Sequence, residues 1–220
     1  MSAFNIEAYL NSLPDYVEEI DVSYKGLTYL PDLSRFKKLK KLYCHNNFLV
    51  SLPSLPKSLM LLSCWGNKLI SLPPLPDSLE ELWSGYNRLS SLPLLPNSLQ
   101  QLNCRFNQLV SLPSLPNSLY YLSCDNNQLV TLPLLSNSIE ILYCHDNPLE
   151  EFVDVYDLVD NVKEYIVTLN KFRSLYYCIK YKNKFRKWLW DVRENKAKEE
   201  YHPDRLKEML EGKDINDIDF

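Results

Sequence analysis

Glycine is scarce in this chain, and long apolar runs are missing. Four glycines stand against fourteen prolines in 220 residues, and no Gly-rich loop of the kind that cradles phosphates occurs. No stretch approaches the ~18 consecutive apolar residues that a membrane-spanning helix needs. The first residues, MSAFNIEAYL, show no basic segment followed by an apolar run, which a secretory signal would have. We therefore expect a cytoplasmic protein that is neither secreted through a signal peptide nor transmembrane.

Clusters of catalytic or metal-ligating residues are also missing. The three histidines are far apart in sequence, and no Ser/His/Asp arrangement has supporting context. Cys44-His45 and Cys144-His145 are adjacent pairs, and neighbouring residues of a strand point to opposite faces, so neither pair can hold one ion. We therefore expect no enzymatic activity, no catalytic residue, no cofactor and no metal.

The sequence has instead a 20-residue unit that recurs in phase between residues 39 and 152. Its pattern is L-x-x-L-x-C-x-x-N-x-L-x-x-L-P-x-L-P-x-S, in five full copies and one partial copy. The copies begin at Leu39, Leu59, Leu79, Leu99, Leu119 and Ile139. Self-similarity at a fixed period predicts a solenoid, because no single unit can bury its apolar face without stacked neighbours.

Alternation inside the unit predicts one short strand per repeat. Leu42 and Cys44 alternate with outward residues, which is the period of two that a β-strand shows. Pro53 and Pro56 remove backbone donors and fix φ, so the return path is expected to be extended and polyproline-like. The side chains expected to point inward in this unit are Leu39, Leu42, Cys44, Leu49, Leu52 and Leu55.

The period and the L-x-x-L-x-L/C-x-x-N core resemble the leucine-rich repeat. The LPxLPxSL half, at residues 52–59 and 72–79, is similar to the short unit of secreted bacterial effectors. Cysteine at the sixth position, as in YCHNN and SCDNN, resembles the repeat arrays of large amoebal DNA viruses, and so does the segment YHPDRLKEML at residues 201–210. The resemblance implies a viral protein that acts on host proteins in the cytoplasm of the infected cell.

The implied fold class is an α/β repeat solenoid with a parallel sheet on its concave face, an extended convex side and helical caps. Caps are expected because a terminal unit would otherwise expose its apolar core. The expected segments are an N-terminal helical cap at 1–16, the repeat array at 17–152 with a divergent first unit, a C-terminal helical cap at 153–212 and an acidic tail at 213–220.

Bacterial effectors with similar repeats carry a separate ubiquitin-ligase domain whose nucleophile lies in a C-x-D triplet. Cys144-His145-Asp146 is such a triplet, but its cysteine falls on the inward place of the repeat. The ligase domain is also far larger than the segment that follows the array. The triplet is therefore interpreted as structural.

Two columns of identical residues run through the array. Five of the six cysteines share the inward place, which asks for a small apolar group, so we expect buried and reduced thiols. An asparagine occupies the place where each strand must turn, and its amide can satisfy backbone groups that the turn leaves unpaired. The structural asparagine column is Asn47, Asn67, Asn87, Asn107, Asn127 and Asn147.

Outward positions differ between the repeats, and several of them are aromatic. Trp, Tyr and Arg dominate the hot spots of protein interfaces, so we predict a protein-binding site on the concave face of a monomer, with the partner's identity left open. An alternative is that Tyr86 and Phe106 are partly buried in the loop after their strands. The predicted partner-binding residues are Tyr43, Trp65, Trp83, Tyr86, Arg105, Phe106, Tyr121 and Tyr143.

A basic, aromatic-containing segment at residues 171–196 supports a second hypothesis. A helix of this composition can bind nucleic acid, an anionic membrane or a calmodulin-like groove. The structural alternative is a cap helix with a solvated basic face. The cations of this segment are Lys180, Lys182, Lys184, Arg186 and Lys187.

Overall fold

The computed structural model describes residues 4–149, which hold one helix and seven short strands. All seven strands form one parallel sheet in which each strand pairs with the next along the chain. The predicted repeat solenoid is therefore confirmed. The elements are α1 (Ile6–Ser12), β1 (Glu19–Asp21), β2 (Lys41–Tyr43), β3 (Leu61–Ser63), β4 (Glu81–Trp83), β5 (Gln101–Asn103), β6 (Tyr121–Ser123) and β7 (Ile141–Tyr143).

The register of the sheet follows the repeat without slipping. Leu42 lies opposite Leu62, and Leu62 lies opposite Leu82. The divergent first unit joins the same sheet, because Ile20 of β1 pairs with Leu42 of β2. Equivalent residues of successive units are therefore neighbours, and any outward difference between units is displayed along one continuous face.

The core lies behind the sheet and consists mainly of leucine. The leucines that open each unit, the strand leucines and the cysteines are all buried; the unit of β2 contributes Leu39, Leu42, Cys44 and Leu49, each 0% exposed. Fully burying one such leucine stabilises the fold by about 1.5–3 kcal/mol. Leu52 and Leu55, which were also expected to point inward, are only half-buried, because they lie on the return segment at the edge of the core.

The return segments contain neither helix nor strand within residues 4–149, as the paired prolines predicted. A turn closes each segment before the next unit: the Leu59 N–H donates to the Pro56 carbonyl at 3.1 Å, and Ser58 Oγ donates to the Leu39 carbonyl at 2.8 Å. In the fifth unit Ser136 replaces the second proline, yet its carbonyl still accepts from the Ile139 N–H at 3.2 Å. The turn is therefore independent of the proline ring.

Helix α1 contacts the first unit of the array. Asn5 caps it by accepting a hydrogen bond from the Ala8 N–H at 3.0 Å, and Ile6 and Leu10 are buried. Arg35 joins the helix end to the array, because its guanidinium donates to the carbonyls of Leu10 and Leu13. The same group lies 4.3 Å from the centre of the Phe36 ring, which is fully buried.

Several predicted segments lie outside the described residues. These are the end of the array up to residue 152, the C-terminal helical cap at 153–212 and the acidic tail at 213–220. Within residues 4–149, the helix is too short and polar to cross a membrane.

Candidate functional site

The outward side chains of the strands, and those of the residues that follow each strand, form the concave face. All eight predicted partner-binding residues lie there. Tyr86, Phe106 and Tyr143 are 44%, 40% and 41% exposed, and Arg105 is exposed as well. The remaining four, Tyr43, Trp65, Trp83 and Tyr121, are half-buried. The concave face therefore presents a partly exposed aromatic surface with one arginine inside it.

Three groups of ring contacts divide this surface. Tyr86 stacks on Phe106 with centroids 4.4 Å apart, and the Arg105 guanidinium lies 5.3 Å from the Tyr86 ring. Trp83 packs against Tyr121 at 5.9 Å, and Tyr121 meets Tyr143 at 6.2 Å. The third group pairs His45 with Trp65, whose rings are parallel and 5.0 Å apart. Tyr43 belongs to this third group through an edge contact with His45 at 6.4 Å. The three groups therefore include all eight predicted residues.

A left-handed backbone residue directly precedes each asparagine of the column. Gly66, Asn46 and Asp146 are residue types that tolerate this conformation, with φ of 67°, 52° and 52°. Tyr86 and Phe106 hold the same place with φ of 54° and 51°, where a bulky side chain costs about 1–2 kcal/mol. The strained pair is thus an exposed ring stack in the loop after the strands. Asn, Gly or Asp holds this place in four of the six repeats, which was the signal for the left-handed turn, and it was missed from the sequence.

A cavity of about 190 Å³ opens on the concave face between the ring groups. Trp83 is fixed at its wall, because the indole N–H donates to Glu81 Oε2 at 3.1 Å. Gly85 was not among the predicted site residues, although it is the one place in its row that lacks a side chain. The lining residues are Trp65, Trp83, Gly85, Tyr86, Asn103 and Arg105.

His45 anchors the indole of Trp65. Its Nδ1 lies 3.0 Å from Ser23 Oγ and 3.1 Å from Ser63 Oγ, so the ring is held by hydroxyls of the neighbouring units. Partial burial lowers the pKa of His45, although the carboxylate of Asp21 opposes that change. The ring is therefore neutral at physiological pH and stacks as an uncharged plane.

The asparagine column connects each unit to the one before it. Asn87 Nδ2 donates to the carbonyls of Cys64 and Ser84 at 3.0 and 3.1 Å, and Asn87 Oδ1 accepts from the Leu69 N–H at 2.9 Å. The other five asparagines bond in the same way, while Lys25 holds this place in the first unit. A lysine suffices there because no earlier repeat needs to be joined.

The cysteine column consists of buried thiols, and none of the five within the described range forms a disulfide. Burial raises the pKa of Cys64 to about 12 and that of Cys144 to about 11. A thiol in this state is protonated at neutral pH and is a poor nucleophile. The other two residues of the Cys144-His145-Asp146 triplet contact each other, with His145 Nδ1 2.8 Å from Asp146 Oδ2. Within residues 4–149, no three His, Cys, Asp or Glu side chains converge to hold a metal ion.

The predicted basic segment cannot be placed on this framework. Its cations, Lys180, Lys182, Lys184, Arg186 and Lys187, lie outside the described residues. The hypothesis of nucleic-acid or membrane binding therefore stays a prediction from the sequence.

Comparison with known proteins places the fold. No protein-family model and no curated protein match the chain. The leucine-rich repeat domain of a Shigella effector is similar in structure, with 35% sequence identity and a TM-score of 0.58, over 67% of this chain and 64% of that one. The leucine-rich effector YopM from Yersinia pestis is similar too, with 34% identity and a TM-score of 0.54, over 63% of this chain and 45% of that one. The chain thus spans less than two thirds of either effector chain, and its described residues have the leucine-rich repeat fold that both show.

Proposed function

We propose that this chain is a non-enzymatic interaction module that binds a partner protein on its concave face. The observation that carries the proposal is the aromatic surface around Arg105, with its three groups of ring contacts. The proposed contact residues are Tyr43, Trp65, Trp83, Tyr86, Arg105, Phe106, Tyr121 and Tyr143.

The physics of the face favours binding in two ways. Aromatic side chains supply large contact areas, and Trp, Tyr and Arg are enriched among residues that lose most binding energy on truncation. The strands beneath them are held in register by the asparagine column, so little conformational freedom is lost when a partner docks. A pre-organised surface of this kind can bind a partner without catalysing a reaction.

The similar structures support a protein as the partner. Both are described as effectors, and both have the leucine-rich repeat fold. The cysteine at the sixth repeat position resembles viral arrays, so our proposal includes a viral protein that acts on host proteins in the cytoplasm. The absence of enzymatic activity is part of the same proposal, supported by the protonated thiols of the cysteine column.

Affinity capture from host lysate with the full chain, followed by titration of the purified partner, tests this proposal. The double variant Trp65→Ala/Trp83→Ala is expected to weaken binding at least tenfold. Leu94→Ala is the matched control, since Leu94 is 86% exposed on a return segment away from the concave face. Unchanged affinity in the double variant would refute the concave site. If affinity fell instead on replacing Lys180, Lys182 and Lys184 by Gln, the basic segment would be the binding element.

A further inference from the structure

A row of planar groups crosses the concave face, and one position in it has no side chain. His45 and Trp65 hold equivalent places in successive units, and their rings are parallel within 7° at 5.0 Å. Gly85 holds the next place, and Arg105 the one after it. The backbone of Arg105 thus lies on the far side of Gly85 from Trp65, and its guanidinium lies 5.3 Å from the centre of the Tyr86 ring.

Backbone hydrogen bonds keep this row in register beyond the ends of the strands. The Asn46 N–H donates to the Trp65 carbonyl at 2.9 Å, and the Gly66 N–H donates to the Gly85 carbonyl at 3.0 Å. The Tyr86 N–H then donates to the Arg105 carbonyl at 2.9 Å. Because successive parallel strands lie roughly 4.8 Å apart, the missing layer over Gly85 has the thickness of one stacked ring. Next to the Gly85 backbone this layer is bounded by Asn103 Oδ1 and Arg105 Cγ, which lie 3.0 and 3.2 Å from the place of an added Cβ.

The cavity of about 190 Å³ lies at this position. Its size is below the roughly 300–1,000 Å³ of pockets that enclose a drug-sized molecule, so it suits a single side chain. Trp65 presents to it the indole face that His45 does not contact. We name the cavity the Gly85 slot, with the lining residues Trp65, Trp83, Gly85, Tyr86, Asn103 and Arg105.

We propose that the Gly85 slot takes one aromatic side chain of the partner protein, stacked between the indole of Trp65 and the guanidinium of Arg105. The inference rests on the proposed function and names the chemistry of the partner's anchoring residue. An aromatic ring gains from stacking on an indole and from facing a cation, and an aliphatic side chain of equal size gains neither. Arg105 makes no ion pair with a residue in the described range. Its guanidinium lies 5.3 Å from the centre of the Tyr86 ring, and both side chains line the slot, where an incoming ring can pack on the guanidinium.

Charge favours a protein ring over a nucleobase. In the units of β3 to β6, the charged residues of the concave face are Glu81, Arg105 and Asp125. One cation between two anions does not form the basic track that a phosphate backbone needs. The slot therefore fits a side chain delivered by a polypeptide.

Titration of the full 220-residue chain with capped amino acids tests the slot without knowledge of the partner. The probes are N-acetyl-tyrosinamide and N-acetyl-phenylalaninamide, with N-acetyl-cyclohexylalaninamide as the matched non-aromatic probe and adenosine as the nucleobase probe. We expect dissociation constants on the order of 1 mM for the aromatic amides. The cyclohexyl probe and adenosine are expected to bind at least fivefold more weakly.

Two substitutions localise the binding. Gly85→Leu fills the slot, and Arg105→Lys keeps the charge but removes the planar group at an exposed place, where the fold is not at risk. Each substitution is expected to weaken binding of the aromatic amides at least fivefold. Unchanged thermal unfolding is the check that the chain is folded. Equal binding of the cyclohexyl probe, tighter binding of adenosine, or no effect of either substitution would overturn the inference.

Different outcomes would refute the Gly85 slot and the concave binding site. If partner binding falls in Tyr43→Ala and Tyr143→Ala but survives Gly85→Leu and Arg105→Lys, the slot is wrong and the concave site stands. If partner binding survives every substitution on the concave face, both are wrong.

Discussion

The rings of Tyr86 and Phe106 stack 4.4 Å apart, although both residues hold a left-handed backbone with φ of 54° and 51°. Asn46 and Asn126 hold the same place in other units with φ of 52° and 55°. Two bulky residues therefore stand where the other four of the six repeats use asparagine, glycine or aspartate. Backbone strain of this kind persists where the surrounding structure imposes it, and it concentrates at binding sites.

The stacking energy of this pair can be separated from the strain by a double-mutant cycle. We expect a coupling free energy of about 0.5–1.5 kcal/mol between Tyr86→Asn and Phe106→Asn in urea unfolding. Strain relief and lost contacts with other residues act at each site singly, so they cancel from the coupling, which keeps what the two rings do to each other. A coupling near zero would show that the two rings do not stabilise one another.

Asn87→Ala should destabilise the array more than Asn147→Ala. Asn87 is buried, and its loss leaves the Leu69 N–H without its acceptor, at about 1–3 kcal/mol for a buried unsatisfied group. The Cys64 and Ser84 carbonyls each lose one hydrogen bond but still accept from Asn67 and Asn107. Asn147 is half-buried, so water can replace its bonds in part. Urea unfolding of both variants measures the difference, and equal losses would contradict a column that acts through buried hydrogen bonds.

Gly66→Ala should cost about 1–2 kcal/mol, since Gly66 has a φ of 67° that a side chain disfavours. Gly85→Ala is the matched comparison, because the Gly85 backbone lies outside the left-handed region. Its added Cβ would lie 3.0 Å from Asn103 Oδ1 and 3.2 Å from both Arg105 Cγ and the Arg105 carbonyl oxygen; the two side-chain atoms can shift, and the backbone oxygen must give by a few tenths of an ångström. We expect Gly85→Ala to change the free energy of unfolding by less than about 0.5 kcal/mol, because the lower entropy of the unfolded alanine chain offsets the crowding. Thermal unfolding measures the loss of stability in both variants. A larger loss in Gly85→Ala than in Gly66→Ala would contradict the prediction.

The buried thiols should react slowly and in a definite order. The thiolate is the reactive form, and the pKa is about 11 for Cys144 against about 12 for Cys64. At equal pH, iodoacetamide should therefore modify Cys144 faster than Cys64, which is also the more deeply buried thiol, as read by peptide mass spectrometry. Denatured chain is the control, in which both should react alike. Equal rates in the folded chain would contradict this order.

Stability should fall at alkaline pH for the same reason. The folded-state pKa of Cys64, about 12, lies above the ordinary thiol value of 9.0 because of burial, so the folded state keeps a proton that the unfolded state loses. The stabilising contribution is fully present below about pH 9 and is lost as pH rises through 12, at up to about 1.4 kcal/mol per pH unit for each thiol. Cys64→Ser should make the decline shallower, and Ser84 shows that serine fits this place. An unchanged slope in that variant would argue against the thiol as the titrating group.

The repeat pattern predicted much of the fold. The period placed Leu42 and Leu62 opposite one another, and alternation assigned Cys44 to the inside, because a solenoid must stack equal units to bury their apolar faces. The return path without a helix followed from its prolines, which remove donors and fix φ. Leu55 was assigned to the interior from its pattern alone, and it is half-buried because the position of the return segment depends on packing.

The sequence by itself determined the strand order, the register and the list of residues on the concave face, since a fixed period leaves these no freedom. Only the tertiary structure decided which of those residues touch. The stack of His45 on Trp65 and the cavity over Gly85 depend on ring orientation across units, which no spacing encodes. The left-handed backbone of Phe106 was likewise set by its neighbours, because the turn before Asn107 is imposed by hydrogen bonds to adjacent units and overrides the preference of the residue that occupies it.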